Sequence, residues 1–426
     1  MKEYHLQMAW KLAILAGKAL VTTQGDVLEI IYPGHGPSNE GGPDFTMAKI
    51  KIKETLWVGS VEVHVQSSLW YGHGHAGDPK YDNVILHVVW EHNKDVLGNH
   101  GDVLPCLQLK DYVPPTWLED IAQKIVSQQL IPCASYFRDI PDFIVTAQLD
   151  VMLVERIESR VQRIEQLYET CASNWDECLH RFIAHYMGKK TNNMAMEELA
   201  KSIPLQLICK HRSSLEDIEA LLFGQGGFLD GEEMDDYHLN LKRRYAYLSH
   251  KYGLTPVYGL KNQWQYKSVR PAGFPERCIA KWSYLLYSQE RLLHWVVDEE
   301  MNTLIHQFHD VGDYWKTHYR FGSGQDKRSL LKYTSVIDLC INAIIPFRIT
   351  YKRVTEQLDI SPQLAFYEVF KPEKNTITAS FQAMGYVCFS ARDTQALLQL
   401  YNNYCNYRKC LSCKIGHFIF KQEGLL

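Results

Sequence analysis

NVILHVVWEHN, residues 83–93, is a near-continuous apolar run interrupted by His87. A run of this length and composition marks a strand buried on both faces, so the sheet containing it must be covered on both sides. The segments before it supply the rest of that sheet. DVLEIIYPG (26–34) alternates and ends in a Pro-Gly turn. FTMAKIKIKE (45–54) and LWVGSVEVHVQS (56–67) alternate across a short turn and are expected to pair as an antiparallel hairpin. In the first of these strands, Ala48, Ile50 and Ile52 are expected on one face. Phe45, Met47, Lys49, Lys51 and Lys53 are expected on the other. A helix is predicted over 3–20, a glycine-rich connector with a short helix over 68–82, and a further short strand in VLPCLQL (103–109).

Beyond about residue 115 the pattern changes to helical period, as in IVTAQLDVMLVERIESRVQRIEQLYE (144–169) and ERCIAKWSYLLYSQERLLHWVVDEE (276–300). The PPTW turn at 114–117 is the expected boundary between a first domain, 1–115, and a helical second domain, 116–426. The basic and aromatic stretch KRRYAYLSHKYG (242–253) suits a nucleic-acid backbone or, equally, a solvated amphipathic helix. The net charge of −4 gives no global basic field, which weighs against a protein that coats nucleic acid but leaves room for a local groove. The apolar residues of the N-terminus are interrupted by His5, Gln7, Lys11 and Lys18, which fits an amphipathic helix better than a signal peptide. No apolar run reaches 18 residues, so no transmembrane span is expected. The 11 cysteines are scattered and odd in number, which points to a reducing, cytoplasmic setting.

Polar chemistry concentrates on the hairpin. Residues two apart on a strand share a face, roughly 6.6–7 Å apart. Glu62, His64 and Gln66 therefore line one face, while Val61, Val63 and Val65 line the other. Asp44 opens the neighbouring strand. Two carboxylates from adjacent strands can hold Mg²⁺ or Mn²⁺, and such an ion can activate water and stabilise charge on a phosphate. Trp70, His73, His75 and Asp78 follow in the glycine-rich connector. His64, His73, His75 and Asp78 also make a candidate transition-metal site, which would support zinc-dependent hydrolysis of a small substrate. Plainer readings exist for each residue. Asp44 can be a turn residue, Glu62 can pair with Lys49 or Lys51 across the hairpin, and His87 can be a satisfied core histidine. Near the C-terminus, Cys405, Cys410 and Cys413 follow a C-x4-C-x2-C pattern. With Cys133 as first choice of fourth ligand and Cys388 as second, they could hold zinc or an iron–sulfur cluster. They could also be reduced thiols at a helix end.

Pro43 and Asp44, a gap of 17 residues, and then Glu62, Val63 and His64 resemble the motif of the PD-(D/E)xK nuclease superfamily. That resemblance implies a restriction-endonuclease-like αβββαβ core in the first domain. It implies metal binding by Asp44 and Glu62, with a further acid from the first helix, for which Glu3 is the candidate. It also implies phosphodiester hydrolysis in nucleic acid, DNA above all. His64 stands where the family has lysine, which puts activity in question and leaves a degenerate binding scaffold as an alternative. Gln66 fits a glutamine found in some branches. Across the whole chain, the segments GPDF, GSVEVHVQSSLW, HGHAGDPKYDNVILHVVW, RPAGFPERCIA and YCNYRKCLSCKIG resemble a bacterial family known only as domain of unknown function 2851.

Overall fold

The computed structural model describes residues 3–11, 19–36, 42–98, 101–114, 130–267, 269–307, 311–324, 333–355, 359, 361–407 and 409–422. The PPTW turn expected at the domain boundary lies, apart from Pro114, outside them. The architecture is mixed α/β, with an N-terminal sheet followed by a largely helical remainder. No helix among the described residues is long and apolar enough to cross a membrane.

Contacts divide the chain into two compact units. One comprises residues 1–154, 372–389 and 393–426, and the other comprises 155–371 and 390–392.

The first unit holds α1 (Glu3–Lys11) and a six-stranded sheet of β1 (Leu20–Val21), β2 (Val27–Tyr32), β3 (Phe45–Ile52), β4 (Thr55–Gln66), β5 (Val84–Glu91) and β6 (Cys106–Gln108), ordered as in the sequence. The helix predicted over 3–20 is thus described only to Lys11, and Leu20 belongs to a strand. Pairs from β1 to β4 are antiparallel, whereas β4–β5 and β5–β6 are parallel. A parallel pair needs a crossover. Residues 67–83 provide it, with α2 (Leu69–Gly72) and a single 3-10 turn, Pro79–Tyr81. Leu6, Ala9 and Trp10 of α1 pack with Phe45, Ile50, Val61, Val63, Leu86 and Val88 in the main core. Trp70 and Tyr81 of the crossover pack with Val84, Val96 and Leu104 in a second, smaller cluster. Gly59 is required where β4 meets β5, since a Cβ there would lie 2.5 Å from the Ile85 side chain and 2.7 Å from the Asn83 carbonyl oxygen.

One sequence expectation for β3 fails in an informative way. Phe45 is fully buried and joins Ala48, Ile50 and Ile52 in the core rather than facing the other way with the lysines. The register shifts between Phe45, opposite Val61, and Ala48, opposite Gly59, so β3 carries one extra residue. Met47 absorbs it at φ 57°, exposed to solvent. Such a bulge reverses the alternation and re-aims the residues beyond it. Burying the Phe45 ring is worth about 1.5–3 kcal/mol, enough to hold Met47 in a backbone region that costs roughly 1–3 kcal/mol.

The second unit is helical. Helix α3 (Asp142–Thr170) runs into it from the first, and Trp175–Met187, Lys189–Ser202, Leu215–Gln225, Asp236–Tyr252 and Pro275–Ser288 follow. Asn174, Ser214 and Asp235 each accept a backbone N–H three residues on, and so cap three of these helices. The helical stretch expected over 276–300 is broken after Ser288 and resumes at Leu292–Asp298. In the basic stretch 242–253, Arg244 is neutralised by Asp217 at 2.6 Å and Glu216 at 2.8 Å.

A candidate metal centre on the sheet

The bulge in β3 brings Asp44, just before the strand, beside Glu62 of β4. Two bonds latch the pair. The Asp44 N–H donates to Glu62 Oε2 at 3.0 Å, and the Val63 N–H donates to Asp44 Oδ2 at 3.0 Å. Gln7, on α1, donates its side-chain amide to Asp44 Oδ1 at 2.8 Å. Glu3, one helical turn earlier on the same face, is close enough for its charge to act on both acids. The second oxygen of Glu62 points away from Asp44, towards imidazoles. Glu62 Oε1 lies 3.2 Å from His75 Nε2 and 3.7 Å from His64 Nε2.

Three histidines close the other side. His64 Nε2 lies 3.1 Å from His73 Nδ1, and one ring atom from each of His64, His73 and His75 falls within 4.8 Å of the others. His64 and His75 are buried, whereas His73 is exposed and opens the group to solvent. Behind them, His64 Nδ1 and His87 Nε2 are 2.8 Å apart, and His87 is wholly inaccessible. Trp70 meets His75 and Tyr81 edge-on, and Tyr81 stacks on the His75 ring at 4.0 Å between centroids. The crossover between β4 and β5 therefore delivers His73, His75 and the aromatic wall, while the parallel pairing delivers His87 beside His64.

Burial sets the protonation of this group. It pushes Glu62 up to about 8, with the negative charges of Asp44 and Glu3 adding to the effect. Burial likewise raises Asp44 to about 6, against the hydrogen bonds from Gln7 and Val63. It drives His64 down to about 2, helped by the neighbouring histidines, and His87 to about 3. His75 is lowered by burial and by His73. Near neutral pH, Glu62 therefore holds its proton and the buried imidazoles are neutral, so the close Glu62–histidine contacts are not ion pairs. Neutral imidazoles, beside acids that resist ionising without a partner, are a donor set suited to a divalent cation. His75 Nε2 and His87 Nδ1 make no hydrogen bond among the described residues. The residues present fit an ion held by the imidazoles of His64, His73 and His75, with Glu62 3.2 Å from His75 and Asp44 beside Glu62. Imidazole favours zinc and similar transition metals, and carboxylate favours Mg²⁺ and Mn²⁺.

Other residues singled out in the sequence are placed differently. Gln66 is exposed near the end of β4, and its amide donates to Glu91 at 3.4 Å. Asp78 caps the turn Pro79–Tyr81 by accepting the Lys80 N–H at 3.0 Å, and its charge reaches His75. Trp70 is fully buried as part of the wall. Sequence reasoning passed over Gln7 and Tyr81, and it weighed His87 mainly as a core residue. The one available signal for His87 was its place as a single polar residue in an apolar strand.

A family model described as a protein of unknown function (DUF2851) matches residues 3–376. No curated protein and no solved structure matches the chain.

Proposed function

We propose, for a chain that belongs to this family of unknown function, that the group on the sheet is a metal-dependent hydrolytic centre acting on phosphodiester bonds in nucleic acid. The observation that carries this reading is the latched pair of half-buried Asp44, just before β3, and buried Glu62 on β4, short of countercharge, with the imidazoles of His75 and His64 near the free oxygen of Glu62 and His73 beside them. The element order supports it. One helix, an antiparallel meander and a crossover to a parallel strand are compatible with the αβββαβ order of the nuclease superfamily that the motif resembles, although the sheet has six strands and Asp44 lies just before β3 rather than in it.

A bound divalent ion would supply Lewis acidity towards the phosphate and lower the pKa of a bound water. Glu62 would hold the ion after losing its proton. His64, neutral and standing where the superfamily has lysine, would ligate or take the proton of the attacking water. His87 would fix the His64 ring from behind. His73, the exposed member, would face the substrate side.

The convergence of three imidazoles favours a second reading, a zinc-dependent hydrolase of a small substrate. One experiment separates them. The purified full chain is assayed on labelled single- and double-stranded DNA and RNA with Mg²⁺, Mn²⁺, Zn²⁺ or a chelator, beside folded Glu62→Gln protein, and its metal content is measured. Metal-dependent cleavage lost in the variant is the expected result. Retained stoichiometric zinc with no cleavage of any nucleic acid would move the assignment to the second reading. A folded chain that takes up no divalent ion would end both.

A further inference from the structure

Four cysteines of the first unit gather at one small cavity. Cys133, which precedes α3, lines it with Cys405, Cys410 and Cys413, alongside Pro132, Lys409 and Gly416. More than 270 residues separate Cys133 from the other three, so their meeting is a product of the tertiary fold. None is in a disulfide. Isolated buried cysteines act as small hydrophobes, but four converging thiols have the composition of a metal-ligand set.

The local backbone is built around these sulfurs. Cys413 immediately precedes the helix Lys414–Gln422, and its sulfur accepts the N–H groups of Ile415 and Gly416. Donation from a helix N-terminus stabilises a thiolate. Gly416 lets that helix close on the Cys410 turn, since a Cβ there would lie 2.2 Å from the Cys410 carbonyl oxygen. Lys414 N–H donates to Gln148 on α3 at 2.8 Å, which pins the helix start to the first unit. Burial raises the thiols of Cys133 and Cys413, and Cys410 and Cys413 stand near enough to Cys133 to add to its rise. Without a positive partner these groups stay protonated.

We propose that Cys133, Cys405, Cys410 and Cys413 hold a metal centre through four thiolates, which staples the segment 405–422 to the loop before α3. Of the two occupants, a single zinc ion and an iron–sulfur cluster, the wider cluster is the one tested first. Sulfurs around tetrahedral zinc stand about 3.8 Å apart, given Zn–S bonds near 2.3 Å. Among the described residues, no three of these thiols fall within 4.8 Å of one another.

The test uses the full chain purified without oxygen, beside Cys410→Ser, Cys133→Ser and, as a control, Cys388→Ser, a buried cysteine that does not line the cavity. Iron, acid-labile sulfide and zinc are measured, visible absorption is recorded, and metal-free wild type is reconstituted with ferrous iron and sulfide. About four irons and four sulfides per chain are expected, lost in the first two variants and kept in the third. One zinc per chain, lost in the same two variants, would keep the thiolate centre and overturn the cluster. No metal in wild type, as purified or after reconstitution, would overturn the proposal even if a variant fails to fold. Nucleic-acid cleavage is not a readout here, so this result and the assignment of the sheet centre stand or fall separately.

Discussion

Glu62 on the sheet and Glu197 in the helical unit are both nearly buried, and each touches a histidine at about the same distance: 3.2 Å to His75 and 3.0 Å to His185. Their chemistry runs in opposite directions. Glu197 accepts from His185, lies 2.9 Å from Arg163 and 3.5 Å from Lys201, and is held down to about 2. Glu62 has two acids and neutral imidazoles around it and, among the described residues, no cation, and is pushed up to about 8. Burial alone therefore does not distinguish a structural carboxylate from a site carboxylate. The decisive feature is whether the fold supplies the countercharge or leaves room for one to bind.

The sharpest test of that contrast is isosteric removal of each charge. Glu62→Gln should cost at least about a thousandfold in metal-dependent cleavage while leaving the circular dichroism spectrum and melting temperature intact or improved. A variant that unfolds instead would make Glu62 a structural residue like Glu197. Next in size is the pH dependence of metal binding. Each ion must displace the Glu62 proton, so affinity measured by calorimetry should rise about tenfold per pH unit up to about pH 8, and then level off.

Glu197→Gln should lower stability towards urea by about 2 kcal/mol, roughly thirtyfold in the folding equilibrium, with metal affinity unchanged. Altered metal affinity would contradict the separation of roles. The two carboxylates should also carry opposite pH signatures. Glu197, with its lowered value, contributes stability that is present above about pH 4.5 and lost as pH falls towards 2. Glu62, with its raised value, makes the metal-free chain less stable as pH rises from its unfolded value towards about 8. The lowered histidines oppose this below the ordinary imidazole value of 6.5, and buried Glu219, raised to about 7, adds to the decline below that value, so the window from about 7 to 8 isolates Glu62. Urea titrations there should show a decline that Glu62→Gln flattens. His87→Asn should weaken metal binding about tenfold, because it removes the group behind His64 rather than a ligand. An unchanged affinity would reduce His87 to packing. Smallest of all, Gln66→Ala should alter stability by no more than about 0.5 kcal/mol and leave metal affinity unaltered, as its amide reaches only Glu91 at the exposed strand end.

Much of the sheet was legible because strand periodicity is local. The hairpin, the buried fifth strand and the short sixth all follow from alternation and turns in consecutive residues. So does the presence of Glu62 and His64 on the face opposite Val61 and Val63. The bulge at Met47 was not legible. Alternation placed Phe45 with the lysines, and only the gain from burying its ring in the core decided where the extra residue went. The pairing of His64 with His87 was equally hidden, since it depends on the parallel register that sets Glu62 beside His87. The spacing of Cys405, Cys410 and Cys413 announced a thiol group, but nothing local pointed from them to Cys133.

By itself, then, the sequence determined which residue types were available and which strand faces they occupy, because side-chain direction along a strand is a property of neighbouring residues. Tertiary structure alone decided which of those groups meet and in what charge state. Contacts across tens or hundreds of residues, and the removal of water around them, are what raise Glu62, lower the histidines and bring four thiols to one cavity.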